Sequence, residues 1–184
     1  MRTADPLPRV ADGVVLRRLA ASDLPAFQSY RHDPQLARYQ GWTAMADSEA
    51  TSFLAGMGAA TLLRPGVWSQ IGIANASSPV LIGDIGLLLD SDGEHVEIGF
   101  TLESQSQGRG LATAAVAAAI DLVFELTAAE RVVGITDARN LPSIRLLERV
   151  GMTRTDAREA MFREEPCIEH SYAISRFACL RANR

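Results

Sequence analysis

The stretch from Val96 to Thr136 constrains this chain more than any other. An apolar run, Val96–Leu102, leads into Gln105-Ser-Gln-Gly108-Arg109-Gly110, and there the period of the pattern changes. Leu111, Ala115, Val116, Ala119, Ile120, Val123 and Phe124 fall on one helical stripe in an alanine-rich segment ending near Leu126. A second apolar run, Arg131–Thr136, follows directly. Strand, helix and strand within about 35 residues make a crossover unit, so the two strands are expected to lie parallel.

The rest of the chain can be arranged around that unit. Val14–Leu19 reads as a first strand. Ser22 is expected to cap a helix that ends near His32, with Asp23 and Pro25 in its first turn. Asp33 then caps a short helix running towards Gln40, which Gly41-Trp42 breaks, and a third helical stretch covers about Ser48 to Ala59. The runs Val67–Ala74, Val80–Leu89 and Val96–Leu102 are separated by Asn75-Ala-Ser-Ser-Pro79 and Asp90-Ser-Asp-Gly93, which predicts an antiparallel meander. Downstream, Asn140 or Ser143 opens a helix that tolerates Pro142 in its first turn and stops at Gly151. Met152–Thr155 and His170–Phe177 are expected to close the sheet as an antiparallel pair. The fold class that follows is α/β: a mixed, mostly antiparallel sheet of six to seven strands, helices on both faces and a central parallel strand pair. At 184 residues it fits a single domain over residues 1–184.

Several classes drop out. No stretch approaches the roughly 20 apolar residues of a membrane helix, and Met1-Arg-Thr-Ala-Asp-Pro6 has no apolar core of a signal peptide. No membrane partner is expected. Cys167 and Cys179 make neither a metal spacing nor a disulfide framework, so a cytoplasmic location is the default. A net charge of −4 and a pI near 5.4 argue against a nucleic-acid partner and favour cationic ones. All 18 basic residues are arginine. Lysine Schiff-base chemistry and the phosphate loop ending in Gly-Lys-Ser/Thr are therefore excluded. His32, His95 and His170 are scattered; Cys167 and His170 are close, but nothing completes a metal set.

The turn at Gly108-Arg109-Gly110 joins a strand to a helix. Glycines let backbone approach a ligand, the first helical N–H groups are unpaired, and the helix dipole adds roughly half a positive charge. Such a turn suits a pyrophosphate, with Arg109 able to add a guanidinium. A dinucleotide-binding fold would use it too, but that fold asks for a third glycine where Thr113 stands, and for repeated strand-helix-strand units near the start of the chain. Asp137 could imitate its ribose-binding acid.

A second motif, Asn140-Leu-Pro-Ser143-Ile-Arg-Leu-Leu147-Glu148-Arg149-Val-Gly151-Met152, brings a resemblance into view. The sequence resembles the GCN5-related N-acetyltransferase (GNAT) superfamily, whose Gln/Arg-x-x-Gly-x-Gly/Ala motif is matched by Gln105, Gly108 and Gly110. The family's Asn-x-x-Ser/Ala…Gly-Phe helix is matched by Asn140, Ser143 and Gly151, with Met152 for the aromatic. Leu16-Arg-Arg-Leu-x-x-x-Asp23, Ala37-Arg-Tyr-Gln-Gly-Trp42 and Val96-Glu97-Ile-Gly-Phe100 look like the ribosomal-protein N-terminal acetyltransferase (RimJ/RimL-like) branch. The resemblance covers residues 14–178.

It implies a GNAT-type sheet and acetyl-CoA as co-substrate, with no metal. In that reading Gln107, Gly108, Arg109, Gly110, Leu111, Ala112 and Thr113 cradle the pyrophosphate. The backbone of Phe100, Thr101 and Leu102 pairs with the pantetheine arm where the parallel strands splay. Asn140 holds that arm from the other side, Ser143 stands by it, and Arg149 reaches for phosphate. Tyr39, Trp42, His170 and Tyr172 would border the acceptor. A superfamily tyrosine expected seven residues after the motif asparagine is Leu147 here; the branch uses the serine, Ser143, as proton donor to the thiolate instead. The branch's Ala-Thr-Glu-Ala becomes Ala112-Thr-Ala114-Ala115.

Amine chemistry sets a further demand. An α-amino group, pKa about 8, is roughly a tenth neutral at pH 7, and a lysine-like amine far less. A carboxylate must take the proton, directly or through water. Glu97 on the strand and Glu103 at its end can do so, and Glu97 alternates with Val96 and Ile98 and so faces away from them. The expected reaction is acetyl transfer to a primary amine by direct attack in a ternary complex, since no cysteine is expected near the acyl site. Protein N-termini and small-molecule amines are both compatible, as are a monomer and a homodimer. The alternatives are an acyl-CoA-binding sensor without turnover, or a transferase using a longer acyl-CoA.

Overall fold

A computed structural model describes residues 5–182. Residues 1–4, on which the reading of the amino-terminal segment rests, lie outside them. In chain order the elements are β1 (Arg9–Ala11), β2 (Val14–Arg17), α1 (Leu24–Arg31), α2 (Pro34–Ala37), α3 (Asp47–Ala59), β3 (Trp68–Asn75), β4 (Leu81–Leu89) and β5 (His95–Leu102). There follow α4 (Leu111–Leu126), β6 (Arg131–Asp137), α5 (Leu141–Arg149), β7 (Thr153–Phe162), β8 (Glu165–Ser175) and α6 (Arg176–Ala182). No helix among the described residues is long and apolar enough to cross a membrane.

The strands make one sheet in the order β1-β2-β3-β4-β5-β6-β8-β7. Neighbours are antiparallel except β5 and β6, the pair that the crossover unit dictates. That pair is short: His95, Val96 and Glu97 sit opposite Arg131, Val132 and Val133, and pairing then stops. Among the described residues, β5 continues to Leu102 with β4 as its one strand partner, and β6 continues to Asp137 with β8 as its one strand partner. The sheet opens between them, and this opening positions the site.

Each face of the sheet has its own apolar core. Alternation sends Val96, Ile98 and Val132 towards α4 and α5, where Ala115, Val116 and Ile120 of α4 and Leu147 of α5 share one core with them. On the other face Leu19, Phe27, Tyr30, Ala50, Leu54 and Leu81 pack α1 and α3 onto the strands. Helices therefore cover both faces, as expected.

Among the described residues the sheet has eight strands rather than six to seven. The added strand is β1, a hairpin partner of β2 across Asp12-Gly13, with Gly13 at φ 76°. Ser22 does not cap α1; it lies in a 3-10 turn, and Asp23 accepts the Ala20 N–H at 2.9 Å. The largest difference is β7, which runs on to Phe162. It is an edge strand, exposed along most of its length, so it needs no apolar alternation. Its turn to β8 is Arg163-Glu164, at φ 51° and 65°. Two left-handed residues suit the twist of a tight hairpin, at roughly 1–2 kcal/mol for each non-glycine residue.

Candidate active site

On the donor side, the Glu103 N–H donates to Ile82 O (2.8 Å), which extends the β4–β5 ladder. By alternation the carbonyls of Phe100 and Leu102 then face the opening. Glutamine amides occupy both: Gln40 Nε2 donates to Phe100 O (3.2 Å) and Gln107 Nε2 to Leu102 O (2.9 Å). Beyond them the chain turns through Gly108 (φ 74°) and Gly110 (φ 79°), a left-handed conformation that glycine alone adopts freely. A Cβ at either position would meet nothing within 4 Å, so the turn faces open space. Gly110 O takes the Ala114 N–H at 3.0 Å as the first helical bond. The N–H groups of Leu111, Ala112 and Thr113 precede that ladder and are available to an anion. Arg109 is exposed beside them. Gln107 departs from the expectation, because its N–H closes the preceding turn on Ser104 O (3.3 Å).

Across the opening stands the start of α5. Asn140 caps it, with Oδ1 accepting the Ser143 N–H (3.4 Å) and its NH2 left over. Ser143 is half-buried in the first turn. Leu147 is 1% exposed and packs onto Gly134, where a Cβ would come within 2.7 Å of Leu147 Cδ2. The position of the family's tyrosine is thus filled by core packing. Arg149 is exposed in the last turn of α5, where its charge suits the helix dipole.

The acceptor side differs from expectation. A cavity of about 230 Å³ opens on the α1–α3 face. Glu97 of β5 and Asp137 of β6 line it, with Arg158, Cys167 and Glu169 from the β7–β8 hairpin and Tyr39 and Gly41 above. Side chains alternate along β8, so Cys167 and Glu169 share this face while His170 and Tyr172 point to the other. There Tyr172 is buried in the α4–α5 core, its hydroxyl 3.5 Å from Glu148 Oε1. His170 has a buried Nδ1 without a partner among the described residues. His170 and Tyr172 are therefore not neighbours of Glu97, whereas the same alternation brings Cys167 to the cavity that Glu97 lines. A larger, more apolar hollow of about 560 Å³ includes Ala138, Met161 and Ile168, and it shares Asp137 and Cys167 with the first.

Within the smaller cavity the charges are unequal. Asp137 pairs with Arg139 (2.7 Å), whose hydrogen bonds hold its carboxyl below the usual range. Glu169 pairs with Arg158 (2.9 Å). Glu97 has no hydrogen bond or ion pair among the described residues. Burial pushes its carboxyl above the ordinary range; His95 and Arg158 pull the other way, and Glu169 adds to the rise. Glu103 is elsewhere: it accepts the Ser106 hydroxyl (2.6 Å) and fixes the turn after β5. Trp42 Nε1 donates to Thr101 Oγ1 (3.3 Å), so Trp42 braces β5, while Tyr39 lines the cavity together with Phe162.

One group escaped the sequence reading. Asp84, 1% exposed, accepts both hydrogen bonds of Arg31 Nη2 (2.9 and 2.8 Å) and two more, from the Tyr30 hydroxyl and from Gln70 Nε2. The Arg31 guanidinium lies 4.4 Å from the centre of the Trp42 ring. A carboxylate in the middle of an otherwise apolar strand was the signal for it.

Residues 14–153 match the family model for the acetyltransferase (GNAT) domain. An uncharacterised N-acetyltransferase, p20, from Bacillus licheniformis is 27% identical over 136 residues, 73% of this chain and 75% of that protein. A GNAT-family acetyltransferase from Bacillus anthracis superposes with a TM-score of 0.78 at 21% identity, covering 90% of this chain and 96% of that one. RimL, a ribosomal L7/L12 α-N-protein acetyltransferase solved with coenzyme A, gives 0.78 at 17% identity over 93% and 98%. A spermidine N-acetyltransferase from Vibrio cholerae, solved with coenzyme A and spermine, gives 0.76 at 16% identity over 91% and 98%. At such identities the solved structures speak for the fold.

Proposed function

Because this chain belongs to the GNAT acetyltransferase family, we propose that it moves an acetyl group from acetyl-CoA to a primary amine by direct attack in a ternary complex. One observation carries the reading: an unpaired, half-buried carboxylate, Glu97, lies where β5 and β6 part, between a cavity on one side and a strand leading to the Gly108–Gly110 turn on the other. The thioester supplies an activated acyl group. The N–H groups from Gly108 to Thr113 hold the diphosphate of its carrier, Arg109 adds charge, and Asn140 NH2 and the strand edge at Phe100–Leu102 align its arm. Glu97 accepts the proton that the amine sheds as nitrogen attacks carbon. The Ser143 hydroxyl donates a hydrogen bond to the departing sulfur, which a thiol pKa of about 8.5 lets leave as thiolate.

The likeness to RimL and the opening residues of the chain support the RimJ/RimL-like branch, hence a protein N-terminus or a small amine as acceptor. Function follows the site and not the fold, so the test is direct. Free-thiol release from acetyl-CoA is measured with a panel of amines, and at least one should drive it. Tight acetyl-CoA binding with no release by any amine would make the chain a sensor.

Cys167 raises a covalent route, in which the acetyl group would pause on sulfur. Direct attack predicts that the protein mixed with acetyl-CoA alone gains no acetyl group by mass spectrometry. It also predicts no thiol burst before steady turnover when amine is added. A burst matching the enzyme concentration, lost in Cys167→Ala, would replace direct attack with a two-step transfer.

A further inference from the structure

We propose that Arg163, at the tip of the β7–β8 hairpin, determines acceptor specificity by tying down the segment 40–42 and so keeping the cavity over Glu97 to the size of a slender primary amine. This rests on the acetyl-transfer reading.

Arg163 Nη2 donates to Gln40 O and to Trp42 O, both at 3.1 Å. Gly41, between those two carbonyls, lines the cavity. The guanidinium also lies 5.5 Å from the ring centre of Phe162, another lining residue. The side chains of the same two residues, Gln40 and Trp42, fasten the segment to Phe100 O and Thr101 Oγ1 of β5. The segment is therefore a strap between β5 and the hairpin tip, held to β5 by its side chains and to Arg163 by its carbonyls, and its Gly41 lines the cavity with Glu97. The volume of this open-sided cavity, about 230 Å³, is below the roughly 300 Å³ at which small-molecule pockets usually begin. A cavity of that size takes a terminal amine and a short carbon stem, or the first residue of a peptide. Arg163 touches neither Glu97 nor the Gly108–Gly110 turn, so it acts on the acceptor through the strap alone. Both carbonyls are met by the one nitrogen, Nη2, through its two hydrogens, a position that the shorter, more strongly hydrated ammonium of a lysine reaches less well.

Two readouts test it. The chain has two tryptophans, so Trp68→Phe leaves Trp42, in the strap, as sole reporter. In that background Arg163→Ala should raise acrylamide quenching of Trp42 by at least about twofold through local opening, and Arg163→Lys should lie between. In thiol release, Arg163→Ala should raise kcat/KM for a bulky amine relative to a slender one by at least about tenfold, with KM for acetyl-CoA unmoved. Unchanged quenching, or an unchanged bulky-to-slender ratio in a folded variant, would overturn the proposal. If no amine drives release even in the parent protein, the acetyl-transfer reading fails and the specificity claim with it, while quenching still decides whether Arg163 holds the strap.

Discussion

Glu97→Gln should lose about a hundredfold in kcat with its best amine, near the low end of what a positioned base contributes. Glu103→Gln should keep its rate to within about threefold, because Glu103 is committed to the turn at Ser106. The pH profile separates a base from a merely structural carboxylate. Burial raises the Glu97 carboxyl, so its basic form dominates only above that raised value. The rate of the parent protein should then climb with pH through a limb that Glu97→Gln lacks, leaving only the limb of the amine itself. Stability should move the opposite way. A carboxyl whose pKa is higher folded than unfolded favours the fold at low pH, and the benefit is lost as pH rises through the folded value. At neutral pH Glu97 is therefore a liability to the fold, and Glu97→Gln should melt above the parent while turning over far more slowly. A variant that loses both rate and stability would assign Glu97 a structural role.

The second large effect concerns Asp84. Asp84→Ala leaves the Arg31 guanidinium, 4% exposed, without its counter-charge, a change that costs about 3–5 kcal/mol when one member of a buried pair goes. Urea denaturation should show that loss as a lowered midpoint at similar slope. Replacing both partners, Asp84→Leu with Arg31→Met, should recover much of it, since an apolar pair of similar volume avoids desolvating two charges. A single variant within about 1 kcal/mol of the parent would show that the pair is not the buried, coupled unit described here. Because Arg31 stacks under Trp42 and Trp42 bonds Thr101, the single variant should also loosen the strap over Glu97.

What the sequence revealed followed from strong local signals. The switch of period at Gly110 announced the parallel pair, and the glycines at positive φ were legible because few other residues sit there. The outward face of Glu97 followed from the alternation of Val96, Glu97 and Ile98. What stayed hidden was non-local or lacked a pattern. β7 is an exposed edge without an apolar face, and its turn uses Arg163-Glu164 where a glycine would have flagged it. The runs Met152–Thr155 and His170–Phe177 mark only part of the antiparallel β7–β8 pair; of the residues expected to border the acceptor, Tyr39 lines the cavity with Glu97, and His170 and Tyr172 lie on the opposite face of β8. Cys167 and Glu169, which line that cavity, fall between the two expected runs. β1 did have a signal, the Asp-Gly of a tight hairpin, but at three residues it is too short to show an alternation. The Arg31–Asp84 pair spans 53 residues, and only the tertiary fold brings it together.

The account stands on the turn at Gly108–Gly110 gripping the diphosphate of coenzyme A through main-chain N–H groups. Titration calorimetry with coenzyme A measures that grip most directly. The expected result is a one-site isotherm near micromolar Kd, about −8 kcal/mol, weakened at least tenfold (about 1.4 kcal/mol) in Gly110→Val, whose side chain is strained at φ 79°. No heat with coenzyme A, or full affinity retained in Gly110→Val, would contradict it.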